Sequence, residues 1–245
     1  MLSCPYFKEL YLTRSSARPR LLFAVDKVGE ELHFYSSPQP QIPYDKSSLV
    51  EAVDYHTKFP SRRCNYASGL ICFSGKCHSR KDALTLICNP ITGKYEELPK
   101  VIMYNTSKAF LGYEEFKVIE AECFTHKTPT FINYKGKLGG INWESGDTGA
   151  KLRMWVLHDV EKQEWSSYVY PLPENDVIKL HEFTVAGMTT RGEFVMFLLD
   201  TFKRFYVFYF NPEKNTLRSV EIQGFGENVS SFKVFVGHVE DFNFF

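Results

Sequence analysis

The sequence predicts an all-β fold of antiparallel hairpins, and three observations carry that expectation. Aromatic residues make up 16% of the 245 residues, with Phe 22 and Tyr 14, and such flat, stiff side chains favour pleated, half-buried surfaces over helices. Apolar runs of strand length recur between turn-forming residues, and three of the turns share one spacing. Hydrophobic residues at 44% against charged residues at 24% supply a core and exclude a disordered chain.

Taken in order, Tyr6, Phe7, Leu10 and Tyr11 place an apolar stripe on one face, which predicts a short N-terminal helix. Lys8 and Glu9 fall where a secretory leader needs its apolar stretch, so no signal peptide is expected. Pro19 to Val25 is extended, turns through Asp26-Lys27-Val28-Gly29 and resumes at Leu32-His33-Phe34-Tyr35.

Three hairpins then align when anchored on Asn89, Asp159 and Asn211. Leu84 to Cys88 turns through Asn89-Pro90-Ile91-Thr92-Gly93 and resumes at Lys94-Tyr95. Met154 to His158 turns through Asp159-Val160-Glu161-Lys162-Gln163 and resumes at Glu164-Trp165. Tyr206 to Phe210 turns through Asn211-Pro212-Glu213-Lys214-Asn215 and resumes at Thr216-Leu217. The anchor side chain caps each turn, Pro90 and Pro212 pre-set φ, and Gly93 and Asn215 tolerate a positive φ. The sixth residue after each anchor, Tyr95, Trp165 or Leu217, is expected to point into the core.

A further extended segment precedes each hairpin: Ser68 to Phe73, Gly136 to Trp143, and Gly192 to Phe197. Asp159 and Asn211 are 52 residues apart, close to the roughly 50 of a kelch blade. The Gly139-Gly140 pair followed by Trp155 and Trp165 resembles that repeat. A propeller-like array is therefore expected, with a β-sandwich of the same hairpins as the alternative. Asn89 and Asp159 are 70 residues apart, too many for one blade and too few for two, so the array is expected to be incomplete.

Lys+Arg 29 balances Asp+Glu 29, and without a basic surplus nucleic acid is not expected as a partner. The longest apolar stretches, Phe194 to Leu199 and Phe205 to Phe210, are far shorter than the roughly 20 residues of a membrane-spanning helix. A cytoplasmic or nuclear chain is expected, with reduced and mostly buried thiols.

Cys64, Cys72, Cys77, His78 and Cys88 raise the question of zinc, but they form no CxxC pair, and Cys72 and Cys88 lie inside apolar runs. No metal is expected. His33, His56, His126, His158, His181 and His238 fall in no hydrolase signature. Glu144, Asp147, Glu193 and Asp200 could pair as propeller-enzyme carboxylates, although solvated turns account for them more simply. Three basic clusters, Arg14-Arg18-Arg20, Arg62-Arg63 and Lys76-His78-Arg80-Lys81, read as solvated loops, one of which could dock an acidic partner. Asn105-Thr106-Ser107 and Asn228-Val229-Ser230 fit the glycosylation pattern but need secretion to be used. Trp143, Trp155 and Trp165 are a core cluster or a recognition platform. Trp155 and Leu157 share one strand face, and Met154, Val156 and His158 the other.

Pro5 to Ser15 resembles the tail that follows an F-box in plant F-box proteins. Ser36-Ser37-Pro38-Gln39-Pro40, Cys88 to Gly93, Asn133 to Gly140 and Phe208-Tyr209-Phe210-Asn211-Pro212 resemble, in the family's order, the type 3 F-box-associated domain. The resemblance implies a tail over 1–16 following a missing F-box and an F-box-associated β domain over 17–245. It implies a protein-interaction domain of the kind that recognises substrates for an SCF-type ubiquitin ligase, with an unidentified protein substrate, no catalysis and no cofactor. The F-box helices that dock on the Skp adaptor are not encoded, which counts against that adaptor as a partner. Phe110 to Tyr113 resembles an early strand pair and Phe116 to Phe124 a later stretch, so internal material near Glu114-Glu115 is missing. The alternatives are a truncated, non-functional relic and a propeller-fold glycoside hydrolase. Substrate-binding residues are unknown from sequence. An opened array exposes strand edges, so the isolated chain should melt broadly; calorimetry showing a monomer with a sharp, cooperative transition would refute this.

Overall fold

The computed structural model describes residues 19–28, 31–39, 48–49, 51–57, 64–67, 69–76, 83–90, 92–97, 129–146, 149–173, 183–199, 205–225 and 229–239. Every regular element among them is a strand. The stripe at Tyr6 to Tyr11, where a short helix is expected, lies outside the described residues, as do Glu114 and Glu115. The strands are β1 (Arg20–Lys27), β2 (Glu31–Pro38), β3 (Ser48–Leu49), β4 (Glu51–Thr57), β5 (Cys64–Ala67), β6 (Leu70–Lys76), β7 (Ala83–Cys88) and β8 (Tyr95–Glu97). They continue with β9 (Thr130–Tyr134), β10 (Lys137–Gly146), β11 (Gly149–Asp159), β12 (Glu164–Pro171), β13 (Thr184–Met188), β14 (Phe194–Leu199), β15 (Phe205–Asn211), β16 (Thr216–Gln223) and β17 (Val229–His238). Four antiparallel sheets result, as the hairpin pattern predicts. The chain divides into two compact units, 1–102 with 223–245, and 103–222.

The first unit holds the sheets β17-β1-β2-β4 and β5-β6-β7-β8. β1 is hydrogen-bonded on both sides, by β2 and by β17, and Leu21, Leu22, Phe23, Ala24 and Val25 are all buried. A continuous apolar run is what a strand buried on both faces requires. Leu22, Ala24 and Phe34 pack against Ile71, Phe73 and Cys88 of the second sheet. On the opposite face Phe225 packs edge-on against Phe23 and Tyr35, with centroids 5.2 and 5.3 Å away.

The second unit holds the sheet β12-β11-β10-β9 and the run β13-β14-β15-β16. Ile141, Leu152 and Met154 from the first share one core with Phe194, Met196 and Phe210 from the second. Phe183 meets Phe208 in a T-shaped pair at 4.9 Å, and the Thr130 hydroxyl donates to the Val185 carbonyl at 2.6 Å. Gly139 sits where bulk is excluded: a Cβ there would lie 3.0 Å from Ile132 Cγ1 and 3.4 Å from the Trp155 carbonyl oxygen.

The three anchored turns form as their chemistry requires. The Asn89 side-chain oxygen accepts from the Thr92 amide at 3.2 Å. Asp159 accepts from the Glu161 and Lys162 amides at 2.9 and 3.0 Å, and Asn211 from the Glu213 and Lys214 amides, both at 3.0 Å. Four positions on, Gly93, Gln163 and Asn215 have φ of 68°, 54° and 48°, the left-handed residue that closes such a loop. The sixth position departs from expectation. Leu217 lies opposite Phe210 and packs on the core, but Tyr95, on the three-residue outer strand β8, is 64% exposed. Trp165 is opposite Leu157 because a bulge between Leu157 and Asp159 inserts one residue, which moves Trp165 to the face away from the shared core.

His238 ends β17 opposite Arg20 and is 1% exposed. Its Nδ1 is 3.0 Å from the Tyr66 hydroxyl. A neutral imidazole is the form that this burial favours. Burial and the nearby Arg20 cation push its pKa down to about 4.

Two predictions follow from these contacts. Gly139→Val should cost about 1–3 kcal/mol through overpacking, read as a lowered melting temperature. Because the unfolded histidine titrates near 6.5 and the folded one about 4, its contribution is complete above pH 6.5 and lost as pH falls towards 4. The loss is on the order of 3 kcal/mol. Denaturation of wild type and His238→Gln across this window should show a shallower decline in the variant; parallel curves would refute the assignment.

Candidate interaction surface

Two described carboxylates, Glu144 and Glu193, are tied into structural pairs. Glu144 on β10 accepts from Arg153 Nε at 2.7 Å and lies 3.4 Å from Lys151 Nζ on β11, as the cross-strand register dictates. The Arg153 hydrogen bond holds the Glu144 carboxyl below its ordinary value. Glu193 receives Arg218 Nη2 at 3.2 Å, and the same guanidinium stacks over Tyr209 at 4.4 Å. Each carboxylate is thus engaged by an arginine rather than by its fellow. Asp147 and Asp200 lie outside the described residues.

The three described cysteines behave as packing. Cys64 and Cys88 are buried and Cys72 half-buried, all as free thiols, and burial pushes Cys64 up to about 11 and Cys88 to about 12. No group of three His, Cys, Asp or Glu suited to a metal occurs among the described residues; Cys77 and His78 fall outside them. His33 stacks on Tyr35 at 6.4 Å, and His158 Nδ1 lies 2.9 Å from Lys137 Nζ. His126 and His181 lie outside the described residues, and His56 lies on β4. Of the basic clusters Arg20 is placed, its Nε donating to the Ser36 hydroxyl at 3.2 Å; Arg14, Arg18, Arg62, Arg63, Arg80 and Lys81 are outside the described residues.

The tryptophans divide between two environments. Trp143 is buried in the core with Met154 and Val156, which settles the face of β11 that meets it. Trp155 and Trp165 are half-buried on the opposite face, where the Arg153 guanidinium lies 5.9 Å over the Trp155 ring.

Exposed apolar surface gathers on β12, a strand that sequence reasoning passed over. Tyr168 and Val169 are 41% and 46% exposed, and Ser167 and Pro171 are exposed beside them. Among the described residues β12 is hydrogen-bonded to β11 alone and so ends its sheet. The signal was legible: Trp165 to Pro171 is an uncharged seven-residue run rich in aromatic and β-branched side chains. No helix of the described residues is long and apolar enough to cross a membrane.

Comparison with known proteins agrees with this architecture. The F-box associated beta propeller domain pattern matches residues 20–114 and 111–239. F-box protein At3g57590 of Arabidopsis thaliana is 41% identical, with 98% of this chain and 83% of that protein covered. Putative F-box protein At5g42430 of the same plant is 40% identical, covering 99% of this chain and 84% of its own. F-box protein At1g31080, also of Arabidopsis thaliana, is 42% identical over 100% of this chain and 73% of its own. The first alignment runs over 340 residues against a chain of 245, so it opens gaps in this chain. With its antiparallel four-stranded sheets and a pattern match from 20 to 239, the chain belongs to the F-box associated beta propeller domain family.

Proposed function

We propose that the chain is a substrate-recognition module: a rigid β scaffold that binds a protein and, joined to an F-box, presents it to a ubiquitin ligase. The observation that carries this reading is the family match across nearly every described strand, together with relatives described as F-box proteins. Sheets locked by core packing and turn caps hold exposed strands and loops in fixed positions, which is what recognition without a covalent step needs. No cofactor enters this reading.

The two overlapping pattern matches meet at 111–114, beside Glu114-Glu115. We infer that a family segment is absent there, which favours a second reading, a remnant that no longer holds a protein. One experiment separates the two. The purified chain should show saturable 1:1 binding to a protein ligand, and should bind the Skp adaptor after the F-box of At3g57590 is fused to its N-terminus, supporting ligand ubiquitylation in a reconstituted ligase. A fusion that binds the adaptor but directs ubiquitin to no protein in a plant extract would sink the recognition reading.

A further inference from the structure

The outer edge of β12 carries an inference that rests on the recognition reading and gives it a surface. The Leu172 amide donates to the Ala150 carbonyl at 2.9 Å, and Lys151 is opposite Pro171 in the register. Antiparallel ladders alternate between residues that bond their partner and residues that bond away from it. Leu172, Tyr170, Tyr168 and Ser166 therefore direct their backbone groups inward to β11. Ser167 and Val169, and the carbonyl of Pro171, direct theirs outward. Pro171 fits this assignment, because a residue with no amide proton is tolerated where the ladder does not need one.

Sheet edges are ordinarily protected by shortness, charge or bulges. The other strands that end sheets among the described residues are short, charged or bulged: β3 has two residues, β8 three, β5 four and β9 five, with Glu96 and Glu97 on β8; β4 contains Glu51 and Asp54; β13 is bulged between Val185 and Gly187; and the ladder of β17 with β1 shifts register twice. β12 has eight residues, its single charge is Glu164 at the start, and its register with β11 runs unbroken from Leu157 to Lys151.

We propose that this edge receives an extended segment of a protein partner as an added antiparallel strand. The fitting segment is proline-free, with alternating β-branched and aromatic residues, and uncharged apart from one lysine or arginine near its C-terminal end that meets Glu164. Main-chain bonds to Ser167, Val169 and Pro171 supply affinity, and the side chains flanking Val169 and Tyr168 on the two faces supply selectivity. A second copy of this chain fits less well. One eight-residue edge buries far less than the roughly 1,200 Å² a stable interface between folded proteins needs, whereas an added strand depends chiefly on its backbone bonds.

The test uses the whole chain and a display library of random eight-residue peptides. Selection should enrich segments of the stated pattern. Val169→Pro, which removes an outward amide and spares the β11 ladder, should weaken the enriched peptides roughly ten-fold without shifting the melting temperature by more than a few degrees. Val169→Lys, which places a charge on the edge, should do the same and covers the case in which the proline variant does not fold. Enriched peptides that bind both variants as tightly as wild type would overturn the edge and leave the recognition reading standing. A concentration-dependent dimer abolished by Val169→Lys would overturn the peptide in favour of a second copy. A library that yields no ligand would overturn the added strand and leave the recognition reading to the fusion experiment.

Discussion

The pairing of β1 with β17 is the constraint on which the first unit rests. It joins Asp26 to Ser230 and Ser231, 204 and 205 residues away along the chain. Closing a loop of that length costs about 5 kcal/mol in chain entropy, and local hydrogen bonds cannot offset that alone. Burial can: Leu21, Leu22, Phe23 and Val25 are fully buried, and each such side chain contributes about 1.5–3 kcal/mol. The sequence spends its most continuous apolar run on the strand that has to hold a distant partner. His238 completes the same seam, because Tyr66 of β5 binds the final residue of β17 and couples the end of one sheet to the start of the other. A pairing of such sequence separation forms late and slowly, so both ends of the described chain must be present before this unit can close.

What the sequence showed and what it hid divide along the line between local and distant interactions. Asn89, Asp159 and Asn211 were readable because an Asx side chain and a left-handed residue four positions on define a turn without outside help. The fate of the sixth residue was not, because one bulged residue after Leu157 sends Trp165 to the other face, and nothing local marks it. The β9–β10 turn was also quiet. Lys135 and Gly136 take φ of 52° and 81°, the mirror-image turn usually signalled by Asn-Gly or Asp-Gly, and here the Asn sits two positions earlier, where its side chain accepts the Gly136 amide at 2.8 Å. The face of β11 that meets the core was open on pattern alone, since both faces read as largely apolar. The structure resolves it by packing Met154 and Val156 inward and leaving Trp155 to an arginine.

The candidate surface was legible in composition but not in meaning. Trp165 to Pro171 advertises a strand, yet a strand at the centre of a sheet and one at its edge share the same sequence signature. Only the strand order assigns β12 to the end, and only the register distinguishes the amides of Ser167 and Val169 from those spent on β11. Tyrosines 168 and 170 appear equivalent in the sequence; Tyr170 leans on the Phe194 ring at 5.2 Å, whereas Tyr168 stays at the surface.

The electrostatics of the second unit bear on one of the carboxylates weighed as a glycosidase acid, Glu144. A general acid for glycoside cleavage needs a carboxyl whose pKa is raised, so that it holds a proton near neutral pH. Glu144 goes the other way, because a charge-assisted bond from Arg153 with Lys151 alongside stabilises its ionised form. Glu193 forms an ion pair with Arg218, which also covers the Tyr209 ring. These pairs are partly exposed, where single ion pairs add little stability, but they fix side chains across neighbouring strands and hold register on faces that lack apolar alternation. These two pairs therefore serve the scaffold, whereas Trp165 to Pro171 on β12 carry no charge.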